Sequence, residues 1–209
     1  MRHDISQLTE QLQKEAFKPS SFIEIGSRDG HDTNYICQYW NLDPNNCYII
    51  EAHPKCFEFI QRTYPQYKSL NVAASNKTDV ITFNAGIIGQ EPNVGVSSVL
   101  TNPTSNFISE TVEVDAWRME DIMNHFNIDK FDFMKIDVEG HGLEVLKGFG
   151  DKIKQTKYIQ IEVETLEVWT GQSLQEDIVN YMETLGFEMI NDVNLDGIQH
   201  DILLKNKLI

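Results

Sequence analysis

Phe22-Ile23-Glu24-Ile25-Gly26-Ser27-Arg28-Asp29-Gly30 is an apolar run broken by one acid and closed by two glycines four residues apart. It reads as a buried strand turning into a helix. A glycine at position 26 lets the backbone turn sharply and admits a ligand close to the main chain, while Gly30 opens a helix whose first amides have no intrahelical partner. Such amides favour a carboxylate or phosphate by about 0.3–1 kcal/mol at an exposed site. A plain strand-to-helix turn has the same pattern, so the next strand decides between them. Cys47-Tyr48-Ile49-Ile50 is again apolar and ends in Glu51. An acid there arrives where nucleotide-binding α/β sheets grip a ribose diol.

The 209 residues suit a single domain over 1–209. A chain this long buries roughly 70% of its unfolded surface, enough for a core without disulfide or metal. Seventeen basic against thirty-two acidic side chains give a net charge of −15, which repels polyanions and disfavours nucleic acid as a partner. Cys37, Cys47 and Cys56 are odd in number, lie in apolar patterns and form no Cys-x-x-Cys pair, so they read as buried reduced thiols. Charges run through residues 1–20, and no apolar stretch nears the ~20 residues that span a bilayer. The expectation is a soluble cytoplasmic protein without signal peptide or membrane span.

Along the chain, Ile5, Leu8, Leu12 and Ala16 recur at helical spacing, giving an N-terminal helix within 1–20 that Pro19 stops and that covers a sheet edge or face. Tyr35, Ile36, Tyr39 and Trp40 give the next helix a buried stripe. Pro54 opens another, with Cys56, Phe57 and Ile60 inward, and residues 68–74 form a third strand. Strand and helix alternating in this way argue a parallel sheet with right-handed crossovers. Then Val80–Phe83 and Thr111–Val114 alternate as an antiparallel hairpin, an insertion over 78–116. Between them a polar stretch, residues 90–106, is expected to be a lid or a partner surface.

Residues 131–137 form the fourth parallel strand, with Phe133, Lys135 and Asp137 on one face, and a turn over 138–142 leads into a helix. Tyr158–Val163 is the fifth strand, with Gln160, Glu162 and Glu164 on one face. A helix ending at Gly186 precedes a terminal antiparallel hairpin of 187–191 and 199–205, joined across 194–197.

In an open α/β sheet, ligands sit outside the carboxyl ends of the strands where the winding reverses. If the first strand neighbours the fourth, Gly26, Glu51 and Asp137 converge on one crevice. A dinucleotide site wants Gly-x-Gly-x-x-Gly, and Arg28 stands where its second glycine belongs, which argues against nicotinamide cofactors. Acids before the first glycine and at the ends of strands two and four suit a ligand with a cationic amine, a carboxylate and a ribose. S-adenosylmethionine fits that description.

Glu24-Ile25-Gly26, Glu51-Ala52-His53-Pro54, Lys135-Ile136-Asp137-Val138-Glu139-Gly140-His141 and Leu143-Glu144-Val145-Leu146-Lys147-Gly148 together resemble the FkbM-type S-adenosylmethionine-dependent methyltransferases, from about residue 20 to 205. Two positions depart: that family often has an acid where Gly142 stands and proline where Ala52 stands. The resemblance implies a Rossmann-like class I methyltransferase fold, with a mostly parallel seven-stranded sheet, an antiparallel C-terminal hairpin and an extra hairpin inserted before the fourth strand. It also implies O-methylation of a small-molecule or glycan acceptor, commonly a sugar or polyketide hydroxyl. Carried over residue by residue, Gly26 and Gly30 would shape the methionine pocket within a cofactor loop that includes Glu24, Ser27, Arg28 and Asp29. Glu51, with Ala52 beside it, would hold the ribose; Ala73, Ala74 and Ser75 would border the adenine; Asp137 would face the methionine or the substrate.

A hydroxyl acceptor also needs a base of near-neutral pKa. His141 is the first candidate, because a helix start disfavours imidazolium and leaves the neutral ring able to accept a proton; Asp137 and Glu139 are rivals. His53, Lys135 and Glu162 are assigned to the substrate side, although Lys135 and Glu162 could instead pair with each other across neighbouring strands. Asp137, Glu162 and Glu164 are the carboxylates that could hold a metal, but without a cysteine-histidine cluster they are weak evidence for one, and none is expected. Two other functions compete. A nucleic-acid methyltransferase finds no Asn-Pro-Pro-Tyr-like or Pro-Cys motif here, and a catalytically silent cofactor-binding module is permitted by the missing acid at Gly142.

Overall fold

The computed structural model describes residues 5–88, 91–92, 97–103, 108–192 and 197–209. In chain order the elements are α1 (Ile5–Lys14), β1 (Phe22–Ile25), α2 (His31–Trp40), β2 (Cys47–Ile50), α3 (Pro54–Thr63), β3 (Lys68–Leu70) and β4 (Ala73–Ser75). There follow β5 (Asp79–Ile88), β6 (Glu91–Pro92), β7 (Ile108–Arg118), α4 (Met119–Phe126), β8 (Phe133–Ile136) and α5 (Gly142–Gly148). The chain closes with β9 (Tyr158–Glu164), α6 (Gln175–Thr184), β10 (Phe187–Asp192) and β11 (Gln199–Asn206).

Seven strands form the main sheet in the order β10-β11-β9-β8-β1-β2-β3. β9, β8, β1, β2 and β3 run parallel, and β11 lies antiparallel to both β9 and β10. The winding reverses between β1 and β8, the place where such sheets open a crevice. Ile25 stands opposite both Ile50 and Ile136, so three strand ends are level. The ladder runs one residue further: Gly26 N donates to Ile50 O, Glu51 N to Leu70 O and Asp137 N to Ile25 O, at 2.9, 3.2 and 2.9 Å. Gly26, Glu51 and Asp137 therefore sit side by side at one edge.

Period-two alternation divides the apolar side chains between the faces of the sheet. Ile23, Ile25, Ile50, Met134, Ile136 and Ile161 pack under α4, α5 and α6, while Phe22, Cys47, Ile49, Phe133 and Leu203 pack under α1 and α2. Cys37, Cys47 and Cys56 are buried free thiols. α1 covers a face of the sheet, with Ile5 and Leu12 inward, but it ends at Lys14, well before Pro19. Ala16 is the reason: at φ 53° it leaves the helical region, and Phe17 N closes back on Leu12 O at 3.1 Å. Within α2, Tyr39 is exposed, and Thr33 and Cys37 join Ile36 and Trp40 in the buried stripe.

The insertion departs most from expectation. Residues 68–74 do not continue as one strand, because the Asn71 side chain donates to Glu51 O (2.7 Å) and Ala52 O (3.1 Å) and closes the β3 ladder there. The chain then enters a second sheet, β4-β7-β5-β6, in which β4 is parallel to β7 and β5 antiparallel to it. The expected hairpin of β5 and β7 is present inside this larger unit, packed about Ala73, Phe83, Ala85, Val114 and Ala116. Of the polar stretch 90–106, residues 90, 93–96 and 104–106 lie outside the described residues, as do 193–196 of the terminal turn.

Candidate active site

Gly26 has φ 81°, and a Cβ placed on it would lie 1.8 Å from Asp137 O. Only glycine meets both conditions. The turn continues through Arg28 at φ 62°, an unusual conformation for a branched-off side chain, held by Arg28 N donating to Glu51 Oε2 at 2.6 Å. Ser27 Oγ accepts from Gly30 N at 3.1 Å and Asp29 Oδ1 from His31 N at 3.0 Å, so the loop's polar side chains satisfy the entry to α2. Gly30, at φ 76°, is the residue before α2 and is packed against Tyr64, behind the loop.

A cavity of about 440 Å³ opens over these strand ends. Gly26, Ser27, Arg28, Asp29 and Glu51 line its middle. Toward β3 it is apolar, bounded by Ala52, Cys56, Val72, Ala73 and Ala74, with Phe83 and Val99 brought over by the second sheet and its adjoining loop. His53 lies at this end, 1% exposed, with its ring edge-on to Phe83. Toward β9 and β11 the lining is acidic: Asp137, Glu139, Glu162 and Asp201, with Gln199 and Lys135 among them. His141 also lines the cavity, and its Nε2 lies 3.1 Å from Ser75 Oγ.

Three of the residues assigned to the cofactor from sequence do not line this cavity: Glu24, Gly30 and Ser75. Glu24 is 1% exposed and accepts from Thr33 N (3.0 Å) and Thr33 Oγ1 (2.5 Å), which ties the first turn of α2 to β1. A cross-strand pair of Lys135 with Glu162 is also absent. The parallel register sets Gln160 opposite Lys135, and α2 brings Asp32 over it. Lys135 Nζ therefore lies 2.7 Å from Asp32, 3.2 Å from Asp137 and 3.7 Å from Glu24.

The electrostatics follow from that wiring. Burial works against the Lys135 charge, but Asp137, Glu24 and Asp32 outweigh it and hold its pKa well above the ordinary lysine value. Burial pushes Glu51 up to about 7 against the pull of the His53 and Arg28 amides, and pushes Glu24 up to about 7 against Lys135. At the acidic end, burial and then Asp137 push Glu139 up to about 8. Burial raises Glu162 well above the carboxylate range, with Asp137, Glu139, Asp201 and Glu164 adding to it. Glu164 rises to about 7, chiefly through burial, with Gln172 and Gln199 pulling it back. Burial lowers both His53 and His141, so each ring favours its neutral form.

Sequence reasoning missed Asp32, Phe83, Ser97, Val99, Gln199 and Asp201 as cavity residues. Asp32 carried a usable signal, since an acid in the first turn after Gly30 must point back toward the strand ends. The others arrive from an inserted sheet and a terminal hairpin, and local pattern does not reveal where those fold. From the polar stretch, Ser98 Oγ donates to Glu139 O at 2.7 Å, which ties the loop to the acidic end.

The chain is similar to known proteins in sequence and in fold. Over 203 residues the chain is 23% identical to the 2-O-methyltransferase NoeI of Sinorhizobium fredii (strain NBRC 101917 / NGR234), covering 90% of this chain and 81% of that protein. Its fold is similar to the crystal structure of methyltransferase FkbM from Methylobacillus flagellatus KT, with a TM-score of 0.61 and 14% identity over 90% of this chain; that protein is much longer, and the match spans 44% of it. It is also similar to M. capricolum TrmK in complex with S-adenosyl-homocysteine, with a TM-score of 0.50 and 11% identity, covering 90% of this chain and 62% of that one. The fold is the class I methyltransferase fold, and no helix among the described residues is long and apolar enough to cross a membrane. The methyltransferase FkbM domain family matches residues 24–189, most of the chain and all three strand ends that meet in the crevice, and the chain belongs to that family.

Proposed function

We propose that the protein transfers a methyl group from S-adenosylmethionine to a hydroxyl of a sugar, glycan or other small polar acceptor. The observation that carries this reading is the polarity gradient of the cavity, apolar beside Val72–Ala74 and acidic beside Asp137, with Gly26 and Glu51 between. A nucleoside sulfonium has the matching gradient. Its base suits the apolar end beside His53, its ribose diol lies against Glu51, and its methionine part crosses the Gly26 turn toward the acids. There the sulfonium meets the acceptor. The 2-O-methyltransferase activity in the name of NoeI supports oxygen as the acceptor atom.

Transfer needs the hydroxyl oxygen in line with the S–CH3 bond, and the hydroxyl must shed its proton as the O–C bond forms. Asp137 and Glu139 are the groups nearest that task by position. His141, the first candidate from sequence, has its Nε2 3.1 Å from Ser75 Oγ. Lys135 holds Asp137 in place from below.

Calorimetry with S-adenosylmethionine, S-adenosylhomocysteine and NADH tests the cofactor, and NADH binding without either sulfur compound overturns the reading. Methyl-labelled cofactor offered with a panel of sugars, glycans, lipids and RNA tests the acceptor. Label is expected in a hydroxylated saccharide or similar small acceptor; label in RNA alone would replace the proposal with nucleic-acid methylation.

A further inference from the structure

Asp137 follows the end of β8, Glu139 stands two residues on at φ 50°, and Glu162 comes from β9, so three backbone positions each deliver one carboxylate. One oxygen of each lies within 4.8 Å of the others. Like charges at that spacing repel and drive one another toward protonation. Lys135, 3.2 Å from Asp137, offsets part of this at that residue, but its charge is shared with Asp32 and Glu24. What acts on Glu162 after burial is four carboxylates, Asp137, Glu139, Asp201 and Glu164, every one of which disfavours its charge.

A separate observation points to a ligand. Glu162 Oε2 exposes less than 1 Å² and has no hydrogen-bond partner among the described residues. Glu162 as a whole is half-buried, and it is this one oxygen that is enclosed, on a side chain grouped with Asp137 and Glu139. Buried acceptors are normally met by a donor or a cation, and here none of the described residues meets this one.

We propose that Asp137, Glu139 and Glu162 form a binding site for one divalent cation of the hard, oxygen-preferring class. Calcium takes oxygen ligands at about 2.3–2.6 Å and magnesium at about 2.0–2.1 Å, and three carboxylates with one oxygen each within 4.8 Å of the others offer the oxygen donors that both prefer. With no sulfur or imidazole in the group, zinc and copper are poorly matched. Gln199 Nε2 donates to Glu139 Oε2 at 3.1 Å and to Glu164 Oε1 at 3.3 Å, the kind of outer contact that fixes a ligating carboxylate.

The consequence for the reaction rests on the proposed methyl transfer. A cation at the acidic end would lie where the acceptor hydroxyl meets the sulfonium and would make that hydroxyl easier to deprotonate. The O–H bond breaks and its proton passes to a carboxylate of the group, Glu139, and from there to solvent; the O–C bond forms as the C–S bond breaks, and the sulfonium becomes a neutral thioether. No electron acceptor is required.

The test is a titration of the full chain, stripped with a chelator and dialysed, with Mn²⁺ followed by the spectrum of the free ion. One Mn²⁺ per chain is expected, displaced by Ca²⁺ or Mg²⁺. Glu162→Gln and Asp137→Asn should each weaken binding by at least about tenfold, while Glu183→Gln on the exposed side of α6 leaves it unchanged. Mn²⁺ should raise the melting temperature of the wild type and not of Glu162→Gln. Without metal, Glu162→Gln should melt at or above the wild type, which separates lost binding from lost folding. Absence of Mn²⁺ binding by the wild type, or binding indifferent to both substitutions, overturns the site. S-adenosylhomocysteine affinity of the stripped protein is measured beside it: affinity without Mn²⁺ binding sinks the cation alone, and Mn²⁺ binding without affinity sinks the cofactor reading alone.

Discussion

The two ends of the crevice are built from opposite materials. At one end Val72, Ala73 and Ala74 leave the main sheet and Phe83 closes over them, so the wall is apolar and its polar member, His53, is neutral. At the other, β8, β9 and β11 bring carboxylates together and burial leaves them competing for protons. The apolar end can hold a flat ring by shape but has little with which to do chemistry. The acidic end can move a proton or hold a cation, and it is costly to keep assembled. Such a division predicts that binding and turnover come apart under mutation.

The largest effect belongs to the acidic end. Glu139→Gln should lower methyl transfer by roughly 10²–10⁴-fold, the scale of a lost proton-handling group, while S-adenosylhomocysteine affinity by calorimetry barely moves. Equal losses in both would show that the ends are not separate. Next, Glu51→Ala in the middle should weaken the cofactor by about 1–3 kcal/mol, since ribose hydroxyls lose a charged acceptor, with turnover at saturating cofactor little changed. Unchanged affinity would make Glu51 a brace for the Arg28 and His53 amides and nothing more.

The third expectation concerns pH. Glu24 and Glu51 have folded pKa values of about 7, above the ordinary carboxylate value, so between about pH 4.5 and 7 the native state holds protons that the unfolded chain has lost. Stability is therefore fully present below the unfolded pKa and falls as pH rises through 7, by on the order of 1–2 kcal/mol per group. Melting temperatures should drop from pH 5 to pH 8, and Glu51→Gln should flatten that drop. A flat wild-type profile would refute it. The smallest effect is at the apolar end, where His53→Leu should cost about 0.5–1.5 kcal/mol of cofactor affinity. Turnover at saturation and melting temperature should hold, because neither ring nitrogen has a hydrogen-bond partner among the described residues.

Much of this was legible from residues alone. The acid-and-glycine turn at 24–30, the acids ending the second and fourth strands and the period-two faces are local signals, and they lead to a sheet whose strand ends coincide. What stayed hidden depends on distance along the chain. The alternative that Lys135 pairs with Glu162 fails because alternation gives a face but not a register; the register opposes Lys135 to Gln160. Glu24 sat where a ligand acid belongs, yet Thr33, nine residues on, occupies it. Residues 68–74 had the pattern of one strand, and a single asparagine side chain ended it. Phe83 and Asp201 joined the cavity from an insertion and from the terminal hairpin, where no nearby residue announces the destination.

The absent side chain at Gly26 has a wider consequence. With Asp137 O standing 1.8 Å from where its Cβ would be, β1 and β8 are joined with no slack at the floor of the crevice. No substitution at position 26 can adjust that distance in small steps, because the first carbon added already collides. The walls brought by the inserted sheet and the last hairpin, Phe83, Gln199 and Asp201, are side chains, so substitution there reshapes the cavity without moving the strand ends.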